Sequence, residues 1–353
     1  MLAAIAPSYP RRSCLYLKNA WYVAAWDHEL ADRPVPRRVL DEAVVLYRNQ
    51  AGEPVALEDS CPHRRLPLSL GCVAGDGLRC GYHGMLFGAD GACIEIPGQE
   101  IIPPGARVRA YPVAERWNLI WIWMGDAALA DPATIIDIPH FAEPGWAVNR
   151  GPAMDVACHY QYMTDNLLDP SHVSYVHASS LGSAATVGVP VHTEVGEDRV
   201  IVSRWILDHD LAPFFAKRVP FRGRADRLQH YEVRMPAHAV IKDVVAPAGS
   251  GAPEGRLHPD TFLIDSYNFV TPVDADNCRY YWFQVRNYAA DDPGESAALT
   301  ADFIGAFEED LVVLAAVHAG MKAAGRHIDL ATDLGSNHAR RMLKRMIAAE
   351  TAG

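Results

Sequence analysis

Cys61-Pro62-His63 and, after sixteen intervening residues, Cys80-Gly81-Tyr82-His83 divide two cysteines and two histidines evenly between two short arms. A structural zinc ion can also use two cysteines and two histidines. Common zinc fingers, however, put both cysteines in one knuckle and both histidines in the other. One thiolate and one imidazole per arm suits a cluster whose two irons need different ligands, with histidine replacing cysteine on one of them. On this reading Cys61 and Cys80 hold one iron of a [2Fe–2S] cluster, and His63 and His83 hold the other; zinc is the alternative. Pro62, Gly81 and Gly84 belong to tight loops, in which backbone N–H groups can approach cluster sulfurs. Tyr82 adds a candidate hydroxyl donor.

The rest of the chain is consistent with a reduced, soluble metalloprotein. Its 353 residues are about twice a typical single domain. Half of them are apolar, and 32 basic against 43 acidic residues give a formal net charge of -11. Such a surface disfavours nucleic acid and anionic membranes, leaving a small molecule or a protein as partner. No stretch approaches the roughly 20 apolar residues of a membrane span. The first fourteen residues lack the order of a secretory signal, since Arg11 and Arg12 follow the short apolar start. Seven cysteines, an odd number, argue against a disulfide framework and for the cytoplasm. Cys14, Cys72, Cys93, Cys158 and Cys278 read as small buried hydrophobes.

From Trp21 to Gly125 short β-branched and aromatic runs, such as Val44-Val45-Leu46-Tyr47 and Leu119-Ile120-Trp121-Ile122-Trp123, are split by Gly, Pro and Asp turns. This predicts a small all-β domain. Asp126–Gly151 lacks periodicity and carries the boundary, giving domains over 15–130 and 131–353. The second contains a helix-like segment, further strands, a Gly/Pro loop over Ala246–Asp260, and helix from about Thr300. Strands followed by helices predict an α+β fold.

A second constellation lies in Asp165-Asn166-Leu167-Leu168-Asp169-Pro170-Ser171-His172-Val173-Ser174-Tyr175-Val176-His177. His172 and His177 are about 140° apart on a regular helix, so the helix must end or bulge between them to let both reach one ion. The plain alternative is a helix start with Asp169 as N-cap and Pro170 at its first position. Further along, Phe303, Phe307, Leu311, Leu314 and His318 share one helical side, and Asp310 falls on it; Glu308 and Glu309 fall away from it. A carboxylate aimed into a core needs a partner or a metal. Asp310 therefore completes two histidines and one carboxylate, the facial triad that leaves positions open on Fe(II). An ion pair with a buried arginine is its alternative.

With these motifs in place, the chain resembles the α-subunits of Rieske non-haem iron oxygenases, in the branch of vanillate O-demethylase, dicamba monooxygenase and toluenesulfonate methyl-monooxygenase. Asn19-Ala20-Trp21-Tyr22-Val23-Ala24-Ala25, Glu95-Ile96-Pro97-Gly98-Gln99 and Ile120-Trp121-Ile122-Trp123 add to the likeness. The resemblance implies a Rieske [2Fe–2S] domain, then a helix-grip catalytic domain of antiparallel sheet and helices. It implies His172, His177 and Asp310 as ligands of one mononuclear iron, and Asn166 as a neighbour of that iron. It also implies a homotrimer in which Asp169 of one subunit links His83 of the next to His172. A ferredoxin-type or flavin/iron–sulfur reductase would relay electrons from NAD(P)H, and O2 would oxidise a methoxy or methyl group of an aromatic acid. O-demethylation of a vanillate-like substrate is favoured; aryl-methyl hydroxylation and ring hydroxylation are the alternatives. The chain departs from close relatives at Pro170, Ala315 and His318. From the residues alone, Trp205, Phe214, Phe215, Trp282 and Phe283 are candidate pocket aromatics, and His209 and Arg286 candidate contacts for an acid group. Two readings of other classes are a Rieske electron carrier without its own chemistry and a zinc-stapled binding protein. The carrier leaves His172, His177 and Asp310 without a purpose.

Overall fold

The computed structural model describes residues 16–178, 180–182, 186–323 and 325–352. They form two compact units, residues 16–137 with 271–275, and residues 138–270 with 276–352.

The first unit is all-β. Its three small antiparallel sheets follow the turn-punctuated pattern of the sequence. Trp21–Trp26, Leu119–Trp123 and Val113–Arg116 form one; Val35–Val39, Glu42–Arg48, Pro54–Glu58 and Ala110–Tyr111 a second. The third is made of short strands, Cys72–Ala74, Gly77–Arg79, Leu86–Phe87 and Cys93–Glu95. Val45, Tyr47, Leu57, Leu68, Leu78 and Phe87 pack beneath it into one apolar core that also takes in Cys61 and Cys80.

The second unit is built on an eight-stranded antiparallel sheet. Successive strands His192–Val195, Arg199–His209, Ala225–Arg234, His238–Pro247, Phe262–Pro272 and Cys278–Arg286 lie side by side as a meander, and Ala147–Arg150 and Met154–Val156 both pair with the last. Its helices are α1 (Tyr160–Leu168), α2 (Val173–Val176), α3 (Pro213–Ala216), α4 (Pro293–Lys322) and α5 (Leu334–Ala352). Helix α4 begins seven residues before the start read from periodicity. Asp292 caps it by accepting from the N–H groups of Gly294 and Glu295, with Pro293 at the first position. A partly buried ion pair between Asp165 and Arg340 ties α1 to α5. Among the described residues no helix is long and apolar enough to cross a membrane.

Helix α1 is capped by His159, whose Nδ1 accepts from the Gln161 N–H at 3.4 Å. Burial, with a smaller push from His318, takes this imidazole from the ordinary 6.5 down to about 4. The folded chain thus holds His159 neutral while the unfolded chain protonates it. Its contribution is present in full above about pH 6.5 and is lost as pH falls towards 4, on the order of 3 kcal/mol. His159→Asn keeps a capping oxygen and does not titrate. Urea midpoints at pH 7 and pH 4.5 should therefore differ less for the variant than for the parent; equal differences would refute this assignment.

Candidate functional site

The two cysteine–histidine arms fold as matching loops. Cys61 N–H donates to Leu66 C=O at 2.9 Å and Arg65 N–H to Cys61 C=O at 2.8 Å; Cys80 N–H donates to Met85 C=O at 2.8 Å and Gly84 N–H to Cys80 C=O at 3.1 Å. The fifth residue of each loop, Arg65 or Gly84, has a left-handed backbone with φ of 60° or 74°. Gly81 is required by close approach, because a Cβ there would stand 2.7 Å from the Leu70 carbonyl oxygen. Asp59 braces the first loop through the Ser69 N–H and hydroxyl, and Arg79 braces the second through the Gly84 carbonyl and Glu95.

The loops sort their donors by depth. Cys61 and Cys80 are 2% and 3% exposed, whereas His63 and His83 lie at the surface with ring centres 4.4 Å apart. Burial and the neighbouring Cys80 push the Cys61 thiol up, a cost that metal coordination of the thiolate relieves. A tetrahedral zinc ion needs its donors within one small sphere. Among the described residues only His172, His177 and Asp310 bring three donor atoms within 4.8 Å of one another. Two deep thiolates and two surface imidazoles fit a cluster whose two irons take different ligands.

At the second constellation the helix does end. Helix α1 stops at Leu168, and His172 and His177 flank the single turn of α2. Asp169 caps the C-terminus of α1 instead of starting a helix, and its Oδ1 accepts from Ser171 N–H at 2.7 Å. The break turns both rings towards Asp310 of α4: its Oδ1 is 3.6 Å from His172 Nε2 and 3.3 Å from His177 Nε2. Asn166 Nδ2 donates to the same oxygen at 3.1 Å. Asp310 is 4% exposed and, among the described residues, pairs with no lysine or arginine, which removes the arginine alternative.

The outer nitrogens fix the tautomers. His172 Nδ1 lies 2.5 Å from the Asp169 carbonyl oxygen, which can only accept, so Nδ1 carries the hydrogen and Nε2 a lone pair. His177 Nδ1 lies 2.7 Å from Glu309 Oε2, with the same consequence. Burial lowers the affinity of His172 for a proton and holds it neutral. For His177 burial works against protonation, but the carboxylates of Asp310 and Glu309 outweigh it. Two imidazole nitrogens, which a metal ion would bind in place of a proton, and a buried carboxylate facing one point fit a divalent ion with open positions.

The sequence reading set Glu309 aside because it lies off the apolar face; its role depends on where the His177 ring points. Glu309→Gln keeps an acceptor but removes the charge that strengthens His177 as a donor. Iron affinity should fall about 10-fold, read by chelator competition with the cluster spectrum unchanged.

The three donors open onto a cavity in the second unit. Its helical side carries Asn166, Phe214, Phe303, Ala306 and Phe307; its sheet side carries Arg227, Tyr231, Ile241, Asp243, Ile264 and Ser266. Of the candidate aromatics Phe214 lines it, while Trp205, Phe215, Trp282 and Phe283 do not. His209 and Arg286 are buried elsewhere, bonded to the carbonyls of Asp210 and of Tyr288 and Ala289. His318 faces the His159 N–H and Asp276, away from Asp310. Arg204 fastens the ligand segment to the sheet, donating to the carbonyls of Pro170, Thr186 and Val189.

Comparison with known proteins agrees with both halves. Residues 20–112 match the Rieske [2Fe–2S] domain, and residues 156–349 match the vanillate O-demethylase oxygenase C-terminal domain. The putative toluene-4-sulfonate monooxygenase system iron–sulfur subunit of Comamonas testosteroni is 39% identical over 96% of this chain and 99% of its own length. The vanillate O-demethylase oxygenase subunit of a Pseudomonas strain is 36% identical over 95% and 96%. A crystal structure of dicamba monooxygenase bound to 3,6-dichlorosalicylic acid superposes with a TM-score of 0.88 at 31% identity, covering 96% of this chain and 99% of that one. Dicamba monooxygenase has also been solved with non-haem iron and dicamba.

Proposed function

Because the chain belongs to the Rieske oxygenase subunits that carry the vanillate O-demethylase C-terminal domain, we propose that it oxidises a methoxy or methyl group of an aromatic acid held in the cavity beside His172, His177 and Asp310. A vanillate-like methyl ether is the favoured substrate. The observation that carries this reading is the opening of a largely buried two-histidine, one-carboxylate set onto a cavity walled by Phe214, Phe303 and Phe307.

When bound, the [2Fe–2S] cluster at Cys61, His63, Cys80 and His83 and the iron at His172, His177 and Asp310 supply electron delivery and O2 activation. The chain supplies position and dryness. Asn166 holds the Asp310 carboxylate in place, Asp169 and Glu309 hold the two imidazoles, and the phenylalanines keep water from the reacting carbon. A methyl aryl ether, O2, two electrons and two protons give a phenol, formaldehyde and water. The relatives are named as subunits of multicomponent systems, and a separate reductase drawing on NAD(P)H is the proposed electron source. A homotrimer joins the parts: exposed His83 of one subunit meets Asp169 of the next, whose Oδ2 has no partner among the described residues.

Hydroxylation of an aryl methyl group is the second reading, favoured by the 39% identity to the toluene-4-sulfonate subunit. Product analysis separates them. Iron-loaded protein with NADH and a reductase is offered methoxy- and methyl-substituted aromatic acids under air. Formaldehyde and a new phenol in step with O2 consumption establish the demethylase. A benzylic alcohol without formaldehyde establishes the hydroxylase, and no product from either series overturns both.

A further inference from the structure

We propose that Arg227, with Tyr231, is the specificity-determining anchor for an anionic group, an arene carboxylate or sulfonate, at the cavity floor opposite the metal ligands. This rests on the aromatic substrate proposed above. Arg227 and Tyr231 are alternate residues of one face of strand Ala225–Arg234, with Gln229 between them, and both line the cavity. Asp243 stands across from Gln229 on the neighbouring strand.

Arg227 is the one lysine or arginine lining this cavity among the described residues, and it is 2% exposed. Its Nε donates to Asp243 Oδ1 at 2.7 Å, its Nη1 lies 3.4 Å from the Leu181 carbonyl, and its plane lies 4.2 Å from the Phe215 ring centre. These contacts lock the side chain, yet Nη2 has no partner among the described residues. The Tyr231 hydroxyl accepts weakly from Gln229 Nε2 at 3.5 Å and donates to no group among the described residues. Two donors with hydrogens still to give therefore face one cavity. Burying such donors costs free energy unless a ligand or water satisfies them.

Asp243 does not cancel this design. It binds through Nε and turns the guanidinium so that its Nη2 edge stays open, whereas a free arginine side chain would have to be ordered on binding. A planar oxyanion reaching that edge and the Tyr231 hydroxyl gains charge-assisted hydrogen bonds. A carboxamide of the same shape gains less, because its NH2 group meets donors.

The test compares 4-methoxybenzoate, 4-methoxybenzenesulfonate and 4-methoxybenzamide as ligands by calorimetry on the full holoenzyme. The wild type should bind at least one of the two anions about 10- to 100-fold more tightly than the amide. Arg227→Gln alone leaves Asp243 buried without its cation, so the informative variant is Arg227→Gln with Asp243→Asn, which replaces an ion pair by an amide pair. It should bring the anion-to-amide ratio close to one while amide binding changes little, and Tyr231→Phe should lower the ratio less. The preferred anion identifies the acid class. An unchanged ratio in the double variant, or no anion preference in the wild type, overturns the proposal. Because binding is read without turnover, tight and Arg227-dependent anion binding with no product would instead count against the proposed reaction.

Discussion

Asp310→Ala should leave about two irons per chain where the parent holds about three, with turnover at background and the cluster spectrum intact. The reason is geometric. Asp310 is the single carboxylate within reach of both Nε2 atoms, at 3.6 and 3.3 Å, and among the described residues no other acid joins that group. Glu309 cannot substitute, since it is engaged at the far nitrogen of His177. The fold should tolerate the change, because a buried charge is removed and the lost hydrogen bond is the one from Asn166. Iron analysis beside the visible spectrum checks it. A variant that kept three irons and turned over would place the mononuclear site elsewhere. The same assay distinguishes a plain Rieske carrier, whose parent chain would hold about two irons.

Asp169→Asn should be almost silent in structure and severe in activity. The side chain accepts from Ser171 N–H, which an amide oxygen can still do, and His172 is held by the Asp169 main-chain carbonyl, which the substitution leaves in place. Cluster reduction and iron loading should match the parent. What disappears is the negative charge proposed to join His83 of one subunit to the neighbouring iron site, and steady-state turnover should fall on the order of 100-fold. Rapid-mixing measurement of cluster reoxidation locates the defect. Parent-like reoxidation in the variant would mean that electrons take another route.

Legibility in the sequence followed how local each feature is. The cluster arms are each three or four residues long, so their chemistry is written in adjacent positions. The triad needed more: His172 and His177 make sense only with the break between α1 and α2, and Asp310 stands out because it alone is acidic on an apolar helical face. Glu309 is one step away on the same helix and looks like solvent-facing acid. Arg227, Tyr231 and Asp243 were hidden for another reason. Strand Ala225–Arg234 carries charged and polar residues on a buried face, so the usual alternation does not say which side faces inward. His209 and Arg286 drew attention as cationic candidates, yet both satisfy carbonyls away from the cavity. The start of α4 was missed because Asp292-Pro293-Gly294 reads as a turn until its capping bonds are seen.

The cavity has its proposed metal donors on helix α4 and at the two ends of α2, and its floor on strands. Reactivity and selectivity are therefore encoded in separable parts of the chain. Exchanging Ile241, Ile264 or Ser266 would reshape the floor by a side chain at a time while His172, His177 and Asp310, the proposed iron ligands, stay as they are. Such a division lets one oxidising centre be refitted to new molecules without relearning its chemistry, a route open equally to natural drift and to deliberate redesign.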